Sequence, residues 1–320
     1  MLIVDSRWTG KYGIGRFSDE IIKRLDISYN ILGSSKSPSS PLDIFNFHRL
    51  RASSKDVIYS PGYNAGFSRA KQILTLHDLF HLTSKGETSL MRRIYYKYII
   101  RLAIQRSKVV MTVSDTSANE IRTWLNDSSI NVINVGNGCS EIFSHLGERY
   151  QTKSDYFLYV GNLRPHKNVP ILFEAISKRK DFRLVIVTKG KKEALKLAKK
   201  YGVIEQVEIF ENIDDKKLAT FYRGARGVLI PSISEGFGYP AVEAMRCGKK
   251  VAFWKGCTQV SEIVRESGVK VESSNISDQW VDAMDKMLEP YEEEEIAKKS
   301  EIYNFDTVSQ NINKVLETFL

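Results

Sequence analysis

Pro231-Ser-Ile-Ser-Glu-Gly-Phe-Gly-Tyr-Pro-Ala-Val-Glu-Ala-Met-Arg-Cys-Gly248 is the stretch that decides the fold. An apolar run, Gly227-Val-Leu-Ile-Pro231, leads into it and reads as a buried strand. A loop with two glycines follows. Pro240 then stands where a first helical residue belongs, because that N–H has no intrahelical partner in any case. The expected helix covers 241–247, and Gly248 ends it. Glu235 thus lies on the loop at the strand's carboxyl end, and Glu243 near the first turn of the helix. Gly236 and Gly238 let the backbone approach a ligand closely, so the N–H groups from Gly236 through Phe237 to Gly238 form a candidate anion cradle. The helix N-terminus beside them favours negative charge. This arrangement suits a phosphate, with two carboxylates placed to accept hydrogen bonds from hydroxyls. A sugar nucleotide has both features. The plain alternative is an ordinary strand–loop–helix connection with two solvated glutamates, and spacing alone does not choose between them.

Outward from this stretch, short apolar runs alternate with helical patterns, which argues for α/β architecture with parallel sheets. On the N-terminal side, Tyr156-Phe-Leu-Tyr-Val-Gly161 reads as a strand. The polar turn Asn162-Leu-Arg-Pro-His-Lys-Asn168 follows, then a helix over 169–178. Lys167 near that helix start is a compact positive charge for a diphosphate, or else an ordinary surface lysine. Strands are expected at 182–188, 207–210 and 250–254, with Asp214 capping a helix that reaches Tyr222. The lysine-rich run 189–202 and Glu292 to Glu295 read as solvated helix faces.

Nearer the start, Met1-Leu-Ile-Val-Asp5 reads as a first strand, and Phe17, Ile21 and Leu25 recur every four residues on one helix face. Gly13 and Gly15, between that strand and helix, serve either a ligand or a tight turn. Residues 34–41 are a polar loop. Strands at 57–60 and 73–76 follow, the second running into His77-Asp78-Leu79-Phe80-His81. His-x3-His is a zinc-site spacing only on a helix, and a strand leading directly into His77 argues against one. Residues 89–106 are helical by pattern, with an apolar line Leu90, Ile94, Tyr98, Leu102 and a basic line Arg93, Lys97, Arg101. The basic line is either a solvated face or a membrane-facing one. A strand at 109–114 follows. Residues 141–155, polar and without strong periodicity, read as an interdomain linker.

The 320 residues are enough for two domains of about 150 each. No apolar run reaches the ~18 residues needed to span a bilayer, and the N-terminus lacks a signal-peptide pattern. Three widely spaced cysteines, Cys139, Cys247 and Cys257, argue for a reducing cytosol and against a disulfide framework or a cysteine zinc site. Lys and Arg number 47 against 38 Asp and Glu, a net charge of +9 that fits an anionic partner. No nucleic-acid motif is present to favour that class.

Glu235-x7-Glu243 within Ser-Glu-Gly-Phe-Gly-Tyr-Pro-Ala-Val-Glu-Ala resembles the signature of retaining glycosyltransferases of family 4. The likeness extends over nearly the whole chain and is strongest from Tyr156 to Gly248. It implies the GT-B fold: two Rossmann-like domains with parallel sheets facing a central cleft. The implied division is 1–150 for the acceptor side and 151–320 for the nucleotide-sugar donor side, with the last helix, 307–319, returning to the first domain. The resemblance gives Glu235 to the donor sugar, Glu243 to the ribose and Lys167 to the diphosphate. His77 of the His-Asp pair would reach the sugar from the first domain, and Gly13 and Gly15 would line the cleft. One departure concerns the second positive contact. The family commonly carries Arg where this chain has Asn162 or His166, and Arg164 lies between.

The reaction implied is transfer of a hexose to an acceptor hydroxyl with retention. No Asp-x-Asp motif precedes the site, so the implied enzyme is metal-independent and uses no cofactor beyond its nucleotide-sugar co-substrate. The likeness is nearest to bacterial polysaccharide mannosyl- and rhamnosyltransferases. GDP-mannose is therefore the first expected donor and a deoxysugar donor the second. A saccharide or lipid-linked saccharide is the expected acceptor, in a cytoplasmic enzyme that touches the inner face of the membrane if the basic line is a membrane-facing one. Three rivals stay open: a glycoside hydrolase using Glu235 and Glu243, a sugar-nucleotide epimerase of the same fold, and a non-catalytic sugar or lipid-carrier binding module.

Overall fold

The computed structural model describes residues 1–10, 13–33, 38, 40–79, 82 and 90–320. The chain divides into two compact units, one made of Met1–Gly138 with Asn304–Leu320 and the other of Cys139–Tyr303.

In the first unit the strands are β1 (Leu2–Val4), β2 (Tyr29–Ile31), β3 (Val57–Ser60), β4 (Lys71–Leu74), β5 (Val109–Thr112) and β6 (Asn131–Asn134). Four of them form a sheet in the order β2-β1-β3-β4, and β5 pairs with β6. A parallel bridge from Thr75 to Met111 joins the two sets, and the Leu76 amide donates to the Met111 carbonyl at 2.8 Å. Every pairing is parallel. β3 is buried along its whole length, as expected for a strand covered on both faces. The helix Ile14–Ile22 buries Phe17 and Ile21, two of the three residues on the anticipated face, and stops before Leu25.

In the second unit the strands are β7 (Tyr156–Val160), β8 (Arg183–Val187), β9 (Val207–Phe210), β10 (Gly227–Ile230), β11 (Val251–Trp254) and β12 (Val269–Val271). They form one parallel sheet in the order β12-β11-β10-β7-β8-β9. The core joins Phe157, Leu184, Ile186, Leu229 and Trp280, all completely buried. Burying each such side chain contributes about 1.5–3 kcal/mol. The order is that of a doubly wound dinucleotide-binding sheet. Its topological switch point lies between β7 and β10, where the loops leaving two neighbouring strands part to opposite sides and open a crevice.

Two expectations about the chain need correction. The first unit ends at Gly138 and not at 150, and residues 139–150 are no loose linker. Phe143 packs edge-on against Tyr222 and Tyr150 against Phe221, with ring centroids 5.8 and 4.3 Å apart. The Arg223 guanidinium donates to the carbonyls of Ser144 and Glu148 at 3.2 and 2.7 Å. Polar composition had hidden these anchors. Residues 304–320 belong to the first unit, where the helix Phe305–Glu317 packs on Ile14–Ile22 and Ser309 donates to the Arg24 carbonyl at 2.6 Å.

The second correction concerns the stretch from Leu90. It runs as helix Leu90–Ile94, a π-helical segment Tyr95–Ile100 and helix Arg101–Ser107. The anticipated apolar line is the exposed one: Leu90, Ile94, Tyr98 and Leu102, with Met91, are 43 to 72% exposed. The core face carries Tyr96, Ile100, Ala103 and Ile104. Those four follow i, i+4, i+7, i+8, and the face continues into buried Ser107, whereas the next four-residue step of the other line is Arg106. The sequence holds both lines, and only the one that stays apolar or small to its end is buried. Ser89 and His81, and residues 34–37 and 39 of the polar loop, lie outside the described residues.

Candidate functional site

The loops after β7 and β10 meet at the switch point of the second sheet. The Ile233 amide donates to the His166 carbonyl at 2.7 Å and ties them together. A single 3-10 turn, Pro165–Lys167, ends at Asn168, whose positive φ of 50° an asparagine tolerates. The Asn168 side chain donates through Nδ2 to the Ser274 carbonyl at 2.8 Å. This fixed turn carries the Lys167 ammonium onto the Glu235 carboxylate. The other Glu235 oxygen accepts from the Ser232 hydroxyl at 2.6 Å. Side-chain exposure is 14% for Lys167 and 9% for Glu235. Lys167 is therefore neither a surface lysine nor a group waiting alone for a phosphate. It is half of a sheltered ion pair, and Ser232 completes a three-residue cluster that the sequence reading had missed. The sequence signal was a serine three residues before a glutamate on the same loop.

Gly238, with φ of 109°, begins the helix Tyr239–Arg246, and Pro240 sits in its first turn. A side chain there would be strained, so the residue before this helix has to be glycine. The Phe237 ring is core, packed against Tyr239 and Tyr303 at 5.4 and 5.8 Å. What Phe237 can offer a ligand is its backbone N–H. Arg164 is exposed, and its amide donates to the Asn162 side chain at 3.1 Å. Its guanidinium makes no ion pair among the described residues. Glu243 is only 4% exposed. One of its oxygens accepts from the Tyr222 hydroxyl at 2.8 Å, so Glu243 is held from within and is not the solvated glutamate of the plain alternative.

The first unit carries the remaining candidates. Gly13 caps the helix Ile14–Ile22 with φ of 59°, and Lys11 and Tyr12 beside it lie outside the described residues. A Cβ on Gly15 would come within 2.6 Å of the Thr9 backbone. Gly15 therefore lets the helix press on the Thr9–Gly10 segment, a packing role. His77 follows the bridge residue Thr75 at the end of β4. Its Nε2 lies 3.0 Å from the Pro61 carbonyl, and its ring meets the Phe17 ring edge-on at 4.7 Å. Burial, outweighing the Pro61 hydrogen bond and the nearby Asp78, holds its pKa below the ordinary value. His77 is thus neutral at pH 7, with Nε2–H donating and Nδ1 bearing the lone pair. The His77 carbonyl accepts from the Ser117 hydroxyl at 3.0 Å. Among the described residues no three His, Cys, Asp or Glu side chains are grouped to hold a metal.

Behind the end of β1 a buried charge network fixes the same region. Arg7 donates two hydrogen bonds to each of Asp5 and Asp43, and Arg49 donates to the Asp43 carbonyl at 2.8 Å. The network ties the segment after β1 to the 41–51 segment.

This pair of α/β units is the GT-B fold. A solved structure of Anabaena Alr3699/HepE in complex with UDP and glucose superposes with a TM-score of 0.71 at 17% identity, over 99% of each chain. Residues 145–302 match the family Glycosyl transferases group 1, and the chain carries a domain of that family across most of its second unit. The serotype-specific mannosyltransferase WbdA of Escherichia coli is 25% identical over 249 residues, 68% of this chain and 30% of WbdA. The O-antigen chain mannosyltransferase B of Escherichia coli is 25% identical over 240 residues, 69% of this chain and 63% of that protein. The chain thus spans less than two thirds of the length of these relatives.

Proposed function

We propose that this protein is a retaining glycosyltransferase that moves a hexose from a nucleotide-sugar donor to a saccharide or lipid-linked saccharide acceptor. The observation that carries this reading is the cluster of Lys167, Glu235 and Ser232 at the switch point, beside the start of the helix Tyr239–Arg246. The barrier lies in breaking the anomeric C–O bond while negative charge grows on the departing diphosphate. Lys167 and the N–H groups from Gly236 to Gly238 stabilise that charge, with Arg164 as a second cation. A preorganised donor of this kind is worth roughly 3–4 kcal/mol. Glu235 holds the sugar hydroxyls and Glu243 the ribose. No divalent ion is required where the protein itself neutralises the diphosphate.

GDP-mannose is the favoured donor, because both relatives named above are mannosyltransferases, and a rhamnosyl-type deoxysugar donor comes next. The product would enter a bacterial surface polysaccharide of the O-antigen or capsule kind. Release of nucleotide together with a new glycosidic product, unaffected by EDTA, is the expected result. Sugar release without acceptor would indicate a hydrolase, an altered nucleotide sugar an epimerase, and binding without turnover a carrier module.

A second observation bears on where the enzyme works. Arg93 and Lys97 are exposed beside the exposed apolar line Leu90, Met91, Ile94, Tyr98 and Leu102. Among the described residues no helix is long and apolar enough to cross a membrane. This face instead suits shallow docking on an anionic cytoplasmic leaflet, where a lipid-linked acceptor would lie. Arg101 belongs to the fold, since its guanidinium donates to the Leu125 carbonyl at 2.7 Å.

A further inference from the structure

Tyr222 was legible in the sequence only as the end of a helix. That helix, Asp215–Gly224, is capped by Asp214, whose side chain accepts from the Lys217 amide. Tyr222 lies on its buried face, one residue before Arg223, which grips the carbonyls of Ser144 and Glu148. The Tyr222 ring is completely buried, and Phe143 meets it edge-on, 5.8 Å away with the rings 83° apart. Its hydroxyl donates to Oε2 of Glu243 at 2.8 Å. Burial first, and the Glu243 carboxylate second, push the Tyr222 pKa well above its ordinary value. The phenol therefore keeps its proton throughout the working pH range and can only donate to the carboxylate.

A carboxylate that must meet a ribose diol needs one orientation, and a buried donor fixes it at no cost when the ligand arrives. We propose that Tyr222 is a positioning residue for Glu243: its hydroxyl sets the carboxylate plane that receives the ribose of a nucleoside diphosphate, and Phe143 braces its ring. The segment after Gly138 thereby reaches the nucleotide site through Phe143 and Tyr222, although neither residue touches the ligand. This inference rests on the assignment of Glu243 to the ribose.

Tyr222→Phe removes one oxygen and keeps the ring on Phe143. The full chain is titrated with GDP, UDP and the 2′,3′-dideoxy form of whichever nucleotide binds more tightly, with thermal unfolding in parallel. The expected loss is roughly three- to tenfold in affinity for the ribonucleotide, with dideoxynucleotide affinity unchanged. In turnover the donor KM should rise by the same factor, with kcat within about twofold. A purely structural role would instead weaken both nucleotides equally. That result overturns the proposal, as does wild-type affinity of Tyr222→Phe for the ribonucleotide where Glu243→Gln has lost it. If Glu243→Gln also binds like wild type, or wild type binds neither nucleotide, the ribose assignment falls and the inference falls with it.

Discussion

Replacing Lys167 with alanine acts on two things at once, because the ammonium is both the expected diphosphate contact and the partner of a sheltered carboxylate. With side-chain exposures of 14% and 9% the pair is screened far less than a surface salt bridge. Glu235 would keep only the Ser232 hydroxyl. Leaving a buried acceptor short of a partner costs roughly 1–3 kcal/mol. In a unit of this size each kcal/mol lowers Tm by about 2–4 °C, so Lys167→Ala should melt about 2–12 °C below wild type. Adding Glu235→Gln removes the orphaned charge. The double variant should then recover part of the loss, with a coupling energy of roughly 0.5–3 kcal/mol. Activity should behave differently. Loss of the charge proposed to meet the diphosphate should lower turnover by about 10²–10³-fold, and the second substitution should not restore it. Thermal unfolding and transfer assays on the four proteins of this cycle separate the two effects. An unchanged Tm in Lys167→Ala would mean that the pair does not persist in solution. Unchanged transfer would remove Lys167 from the reaction.

Glu235→Gln should reduce kcat, whereas Glu243→Gln should mainly weaken nucleotide binding, since the ribose is held alike in ground and transition states; equal nucleotide affinity for wild type and Glu243→Gln would contradict this. Arg93→Gln with Lys97→Gln should remove about 1 kcal/mol per charge from binding to anionic vesicles at low salt, while Ile94→Ser with Leu102→Ser should weaken the part that persists in high salt. Undiminished co-sedimentation of both pairs would leave this face merely solvated. Asp43 is held below its ordinary value of 3.8 because the hydrogen bonds and charges of Arg7 and Arg49 outweigh burial, which pushes it up. A depressed carboxylate stabilises the folded state above its unfolded pKa, and that contribution disappears as pH falls through the lower folded value. The acid limb of the stability curve below about pH 4 should therefore flatten in Asp43→Asn, and an unaltered limb would show that the network does not control it.

The loops that carry the site were legible as strand–turn–helix connections, and the family resemblance assigned them to one donor site. In a sheet ordered β12-β11-β10-β7-β8-β9, the loops after β7 and β10 must converge, however far apart they stand in sequence. The two strand–turn–helix signals, at Tyr156 and at Gly227, marked those loops, and the strand order in the structure brings Lys167 and Glu235 to one place. Their mutual pairing was not legible. Strand order identifies which loops meet, but their side-chain partners are set by the geometry of the turn that ends at Asn168. The same limit hid Tyr222, since its partner Glu243 sits on a different helix and no local pattern links them.

The Lys167–Glu235 pair also changes how the two assigned roles relate. The family resemblance gives the lysine to the diphosphate and the glutamate to the sugar as independent contacts. In the structure each neutralises the other, so neither charge stands uncompensated in a sheltered loop before a ligand arrives. A nucleotide without its sugar would draw Lys167 toward phosphate and leave Glu235 with Ser232 alone. A complete donor would supply hydroxyls to Glu235 at the same moment. On the proposed assignment, the pair would favour the intact nucleotide sugar over the free diphosphate, the order an enzyme needs if product nucleotide is to leave after the sugar has gone.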